Sequence, residues 1–119
     1  MASLSDNRVL TISGDGQTTD ALSPGPFKFG KVYFPSGLNS SYVTIKSKAK
    51  EADSFQTESW EDLSQARTDP PTLTTVKITI PSGGGAVRLA DDVFPCFQLE
   101  LYFDQSETAG IEIPVYLHE

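Results

Sequence analysis

Residues 97–104 read FQLELYFD, and this stretch decides the fold class. Phe97, Leu99, Leu101 and Phe103 share one face of an extended chain, while Gln98, Glu100, Tyr102 and Asp104 share the other. Successive side chains of a strand point to opposite faces, so a period of two specifies a strand with one face in a core and the other toward water. The closing residues 111–119, IEIPVYLHE, repeat the pattern, with Ile111, Ile113, Val115 and Leu117 inward and Glu112, Pro114, Tyr116 and His118 outward. Pro114 has no N–H to give a ladder, which predicts an edge strand or a bulge there.

Working outward, further strands are expected at Arg8 to Ser13, Phe27 to Phe34, Tyr42 to Lys48, Phe55 to Trp60, Leu73 to Ile80 and Ala86 to Leu89. The intervening stretches GDGQTTD (14–20), SPGP (23–26), PSGLNSS (35–41), TDPPT (68–72), PSGGG (81–85) and DQSETAG (104–110) are rich in residues that set turn dihedrals. No helical period persists, although LADDVF (89–94) suits a single helical turn. About eight short strands without helices between them predict an all-β protein, a single antiparallel β-sandwich of jelly-roll or immunoglobulin-like order. The inward sets assign Val32, Phe34, Val43 and Ile45 to the core, together with Phe29, Phe55, Phe97 and Phe103.

A chain of 119 residues buries roughly two-thirds of its unfolded surface and needs neither disulfide nor metal to hold a core. Residues 1–8 are polar and unpatterned and read as an arm; residues 9–119 read as one sandwich domain. The net charge of −7 argues against binding nucleic acid through its phosphates, which takes clustered Lys and Arg. Lys46, Lys48 and Lys50 alternate along one strand and read as a solvated or edge face that discourages aggregation. An acidic balance favours solubility or a partner with a basic surface.

Cys96, in VFPCFQLEL (93–101), sits among apolar residues as a small buried hydrophobe. No basic start leads into a signal-like apolar run, and no stretch approaches the roughly 18 apolar residues of a membrane span, so no membrane partner and folding in a reducing cytoplasm are expected. Asn39-Ser40-Ser41 has the form of a glycosylation sequon and reads as a loop.

Chemistry is sparse. Nucleophilic catalysis needs a base beside the nucleophile, and the one histidine, His118, is the penultimate residue. One Cys and one His fall short of a zinc site. The acidic loop 13–20, SGDGQTTD, lacks calcium-ligand spacing and reads as a turn on Asp15-Gly16. Asp91 and Asp92 are adjacent and diverge, and PSGGGAV (81–87) is not followed by the Lys-Ser or Lys-Thr of a phosphate loop. The expectation is no enzyme, no cofactor and no metal. Candidate binding residues are the loop Ser36, Gly37, Leu38, Asn39, Ser40 and Ser41 and the outward aromatics Tyr33, Trp60, Tyr102 and Tyr116, since such rings anchor interfaces or stack on sugars.

The order of these pieces resembles a family of small structural proteins of tailed bacteriophages. The matching segments are KVYFPSGLNSSYVTIKSKAKEADSFQTESWEDL (31–63), GGGAVRLADDVFPCFQLELYF (83–103) and TAGIEIPVYLHE (108–119). The sequence departs from the family's pattern at EADSF (51–55), where a glycine turn is usual, and at the inserted RTDPPTL (67–73). The resemblance implies a capsid decoration or cement protein on the virion surface, with the major capsid protein as partner, and a homo-oligomer such as a trimer that follows the symmetry of the shell. Loop 36–41 is then a contact, and shortening it is expected to weaken shell binding without unfolding the domain. The rival readings are a tail or fibre component and a carbohydrate-binding module, the latter requiring the outward aromatics to meet around one groove.

Overall fold

The computed structural model describes residues 5–61, 72–89 and 96–119, with residues 60 and 61 described by backbone alone. Among these residues ten strand segments form: β1 (Ser5–Thr11), β2 (Phe29–Phe34), β3 (Tyr42–Lys48), β4 (Gln56–Thr57), β5 (Ser59–Glu61), β6 (Leu73–Thr75), β7 (Lys77–Thr79), β8 (Gly85–Leu89), β9 (Gln98–Phe103) and β10 (Glu112–His118). Among the described residues there is no helix. LADDVF falls largely outside them.

One sheet has the order β1-β10-β2-β8, all antiparallel. In the other, β3 pairs β9 along one edge, and β7 and β4 in tandem along its opposite edge. Bridges from Thr18 to Tyr102 and from Leu22 to Leu99 lay residues 18–22 along the far side of β9. With that segment counted as one edge and β4 with β7 as the other, the sheets read 1-8-3-6 and 2-7-4-5. This is jelly-roll order, which settles the choice against the immunoglobulin-like one.

The alternation read from the sequence is what closes the two layers. Leu99, Leu101 and Phe103 of β9 face Ile113, Val115 and Leu117 of β10 across a core that also holds Leu10, Ile12, Leu22, Val32, Phe34, Val43, Ile45 and Leu89. Each such side chain contributes about 1.5–3 kcal/mol by leaving water.

Three expectations are corrected. Strand β1 begins at Ser5, so residues 5–8 of the expected arm are ladder residues. Phe29 and Phe97 are each 42% exposed and not core. Val32 and Phe34 turn inward, which by alternation turns Phe29 out, and Phe97 precedes β9 where the inner face has ended. Strand β10 is interior to its sheet, not an edge. Pro114 fits because it pairs with Val9 alone: the β2 ladder begins at Val115. The Ile12 N–H donates to Ile111 O at 3.0 Å. By alternation from that bond, Pro114 and Val9 form a non-hydrogen-bonded pair. Strand β3 is likewise interior, so of the two readings of Lys46 and Lys48, a solvated face or an edge, the structure gives the outer sheet face.

The strands expected at 55–60 and 73–80 each divide in two. At Glu58, whose N–H donates to Ile45 O at 2.8 Å, the chain leaves β3. Strands β5 and β6 then pair only with each other, and the returning chain rejoins β3 through β7. The result is a two-stranded ribbon branching from the middle of the β3 edge.

Candidate functional site

Every crossing between the sheets near Phe34, Tyr42 and Phe103 falls at one end of the sandwich. This end gathers residues 13–18, loop 35–41, the turn 80–84 and residues 104–111. The six loop residues predicted to bind lie here: Ser36, Gly37, Asn39 and Ser41 are exposed, Leu38 is half-buried and Ser40 is buried.

One carboxylate organises the end. Glu107 is only 8% exposed, and its two oxygens accept the backbone N–H of Asn39 at 2.8 Å and of Ser40 at 2.7 Å. Its own N–H donates to Gly16 O at 2.7 Å, which joins the 13–18 turn to the same knot. Further bonds hold the loop's second half: Asn39 Nδ2 donates to Ser106 O, Ser40 Oγ accepts from Gln105 N, and Ser41 N donates to Asp104 Oδ1. Sequence reading missed Glu107, which looks like any polar turn residue in DQSETAG. The loop's second half is therefore a structural staple. Shortening 36–41, expected to spare the fold, would remove these bonds.

Two glycines permit the close approach. Gly16 has φ +75°, and a Cβ there would lie 2.7 Å from Glu107 O. Gly84 has φ +86°, and a Cβ there would lie 2.7 Å from Phe34 O and 2.9 Å from Ser36 N. Both combine a backbone region unfavourable to L side chains with direct contact on backbone. Between the 35–41 loop and the 79–84 turn lies an open depression of about 360 Å³, lined by Leu38, Asn39, Ser40, Ile80 and Gly83 among others.

The 13–18 turn is shaped by Asp15. Its Oδ1 accepts from Thr18 N, Gln17 N and Ser13 Oγ, each at 2.9 Å. These bonds, that of Thr18 first, hold the carboxyl well below the usual carboxylate range. No calcium-like cluster forms, and no group of three or more His, Cys, Asp or Glu placed to hold a metal occurs among the described residues.

The predicted tyrosines do not all share one face. Tyr33, 41% exposed, and the half-buried Tyr116 lie on the outer face of the β1-β10-β2-β8 sheet. Tyr102 lies on the outer face of the opposite sheet, with Lys46 Nζ 4.2 Å from its ring centre. Trp60 lies on β5 opposite Thr74, and its side chain is outside the described residues. On the first face Phe29 and Val9 are also exposed, and His118 stacks on Phe29 with ring centres 5.3 Å apart.

His118 borders a depression of about 320 Å³ whose described lining is Phe29, Gly30, Lys31, Arg88 and Leu89, which offers it neither hydroxyl nor carboxylate. Cys96 is half-buried. Burial, and then the negative charge of Glu58, push its thiol up to about 11, so it stays protonated and weakly nucleophilic at neutral pH.

No family model and no curated protein matches the chain. Among solved structures it is similar to the SPBc2 prophage-derived protein YomS, with a TM-score of 0.56 and 10% identity over 100% of this chain and 98% of that one. At that identity the likeness is one of fold.

Proposed function

We propose that the chain is a non-enzymatic virion structural protein, a capsid decoration or cement protein. In this reading it is made in the host cytoplasm and docks on the outer surface of the shell, where it binds the major capsid protein and stabilises contacts between capsomers. The observation that carries the reading is the loop end, where connections from both sheets are held in one conformation by the Glu107 carboxylate and the close contacts at Gly16 and Gly84. A surface ordered before binding loses little conformational entropy on docking, which suits attachment of many copies to a repeating lattice.

The strand and turn order that resembles phage structural proteins supports the same reading, as does a fold shared with a prophage-derived protein. A net charge of −7 favours a basic patch on the shell. The separation of Tyr102 from Tyr33 and Tyr116 onto opposite faces favours a protein partner over a sugar.

Ser36 tests the reading without touching the staple, because it is exposed and precedes the pinned residues. Ser36→Trp is expected to lower co-sedimentation with capsids by about tenfold, equivalent to about 1.4 kcal/mol, with an unchanged melting temperature. Undiminished capsid binding would remove loop 36–41 from the docking surface.

A further inference from the structure

Counting back from the Ile12 N–H to Ile111 O bond, the bonds between β1 and β10 alternate, so Asp6, Arg8 and Leu10 exchange hydrogen bonds with β10, while Ser5, Asn7, Val9 and Thr11 turn their N–H and C=O groups outward. Thr11 is satisfied: its N–H donates to Asp20 Oδ1 at 2.7 Å, and its carbonyl accepts Asp20 N at 3.1 Å. The outward backbone groups of Ser5, Asn7 and Val9 have no hydrogen-bond partner among the described residues, and all three residues are exposed, Val9 by 50%. The contrast with β9 is direct. Residues 17–22 cover that strand's outer edge through Phe103 N to Gln17 O, Thr19 N to Leu101 O and a reciprocal Leu22–Leu99 pair.

This edge, uncovered among the described residues, also lacks the usual protection within its own sequence. Ser5–Val9 contains no Pro or Lys, and its two charges, Asp6 and Arg8, cancel on a chain of net charge −7. Their spacing makes the edge complementary to itself. In an antiparallel pairing centred on Asn7, each residue i faces residue 14 − i of a second copy, so Ser5 meets Val9, Asn7 meets Asn7, and Asp6 meets Arg8 in both directions. The residues with open backbone groups become the hydrogen-bonded pairs, and the charged residues fall in the closer non-bonded pairs, where opposite charges stabilise and like charges destabilise. Within one chain Asp6 and Arg8 already pair on the same face, with half-exposed side chains available to a second pair.

We propose that this edge is a homodimer interface, with β1 of two copies pairing about a two-fold axis through Asn7 to join two four-stranded sheets into one of eight strands. The proposal rests on the β1 edge alone and stands whether or not the shell reading does. It commits to a dimer in place of the trimer that shell symmetry suggests, since two strand edges meeting antiparallel are related by a two-fold axis.

The test is sedimentation equilibrium of the full chain at about 0.15 M salt, where long-range repulsion is screened beyond about 8 Å. Melting curves report the fold of each variant. Wild type is expected at twice the 12.9 kDa chain mass. Asn7→Pro deletes an outward N–H that β10 does not use and is expected to dissociate the dimer. Asp6→Arg alone sets Arg against Arg, and Arg8→Asp alone sets Asp against Asp. Each is expected to weaken association about tenfold or more. Mixed in equal amounts, the two reversed chains face each other with opposite charges and regain a dimer. A wild type that stays monomeric at millimolar concentration or forms a trimer overturns the proposal, as does a dimer unmoved by Asn7→Pro and both reversals. Failure of the mixture to dimerise while each reversal dissociates rejects the register.

Discussion

Glu107 shows how much of this molecule depends on a few side chains outside its strands. A glutamine there can still accept one N–H, but its amide nitrogen must face the other, because Asn39 N and Ser40 N both donate into the carboxylate. Glu107→Gln is expected to cost about 2 kcal/mol, as for a buried hydrogen bond to a charged group, and to lower the melting temperature by roughly 8 °C; an unchanged melting curve would deny Glu107 its part in holding the loops. Asp15 predicts a pH effect. Its folded pKa is depressed, so its stabilising contribution is present above the unfolded value of about 3.9 and is lost as pH falls toward the folded value. Below about pH 4 the melting temperature should therefore fall less steeply for Asp15→Asn than for wild type, and parallel curves would refute the assignment. The turn on Asp15-Gly16 is legible in the sequence because its partners, Ser13, Gln17 and Thr18, are local. Glu107 is not legible, because its partners lie 67 and 68 positions away in a loop that carries no mark of them.

At the scale of elements, alternation reveals the strands wherever one face is buried. Leu99, Leu101 and Phe103, or Ile113, Val115 and Leu117, specify their elements unaided. Alternation does not reveal which strands become neighbours, and the errors follow from that. Pro114 suggests an edge to any local reading, yet β10 is interior because its partners β1 and β2 overlap on it only from Val115 onward. The cover over β9 is harder still to foresee. Residues 18–22 lack strand alternation and hold their place partly through Thr19, a buried hydroxyl that accepts Leu101 N at 3.0 Å and donates to Asp20 O at 3.0 Å. Thr19→Val keeps the shape but strands the Leu101 N–H in the interior, at a cost of about 1–3 kcal/mol. Thr19→Ser keeps the hydroxyl and should cost less. Urea unfolding of the two variants checks this, and equal losses would mean that packing, not the hydrogen bond, holds the segment.

For the whole molecule, the described surface divides into parts of different character. The loop end is polar, lined by backbone and locked by internal bonds. One sheet face presents Val9, Phe29 and Tyr33 beside Lys31 and Arg88, while the other carries lysines over tyrosine rings at Tyr102 and Tyr42. On the decoration reading proposed above, the chain acts by where it sits and how many copies sit there, which makes the reading a claim about copy number. Quantitative mass spectrometry of purified particles, comparing this chain with the major capsid protein, tests that claim directly. The account predicts a molar ratio within a few-fold of one. A ratio lower by orders of magnitude, or absence of the chain from particles, would contradict it.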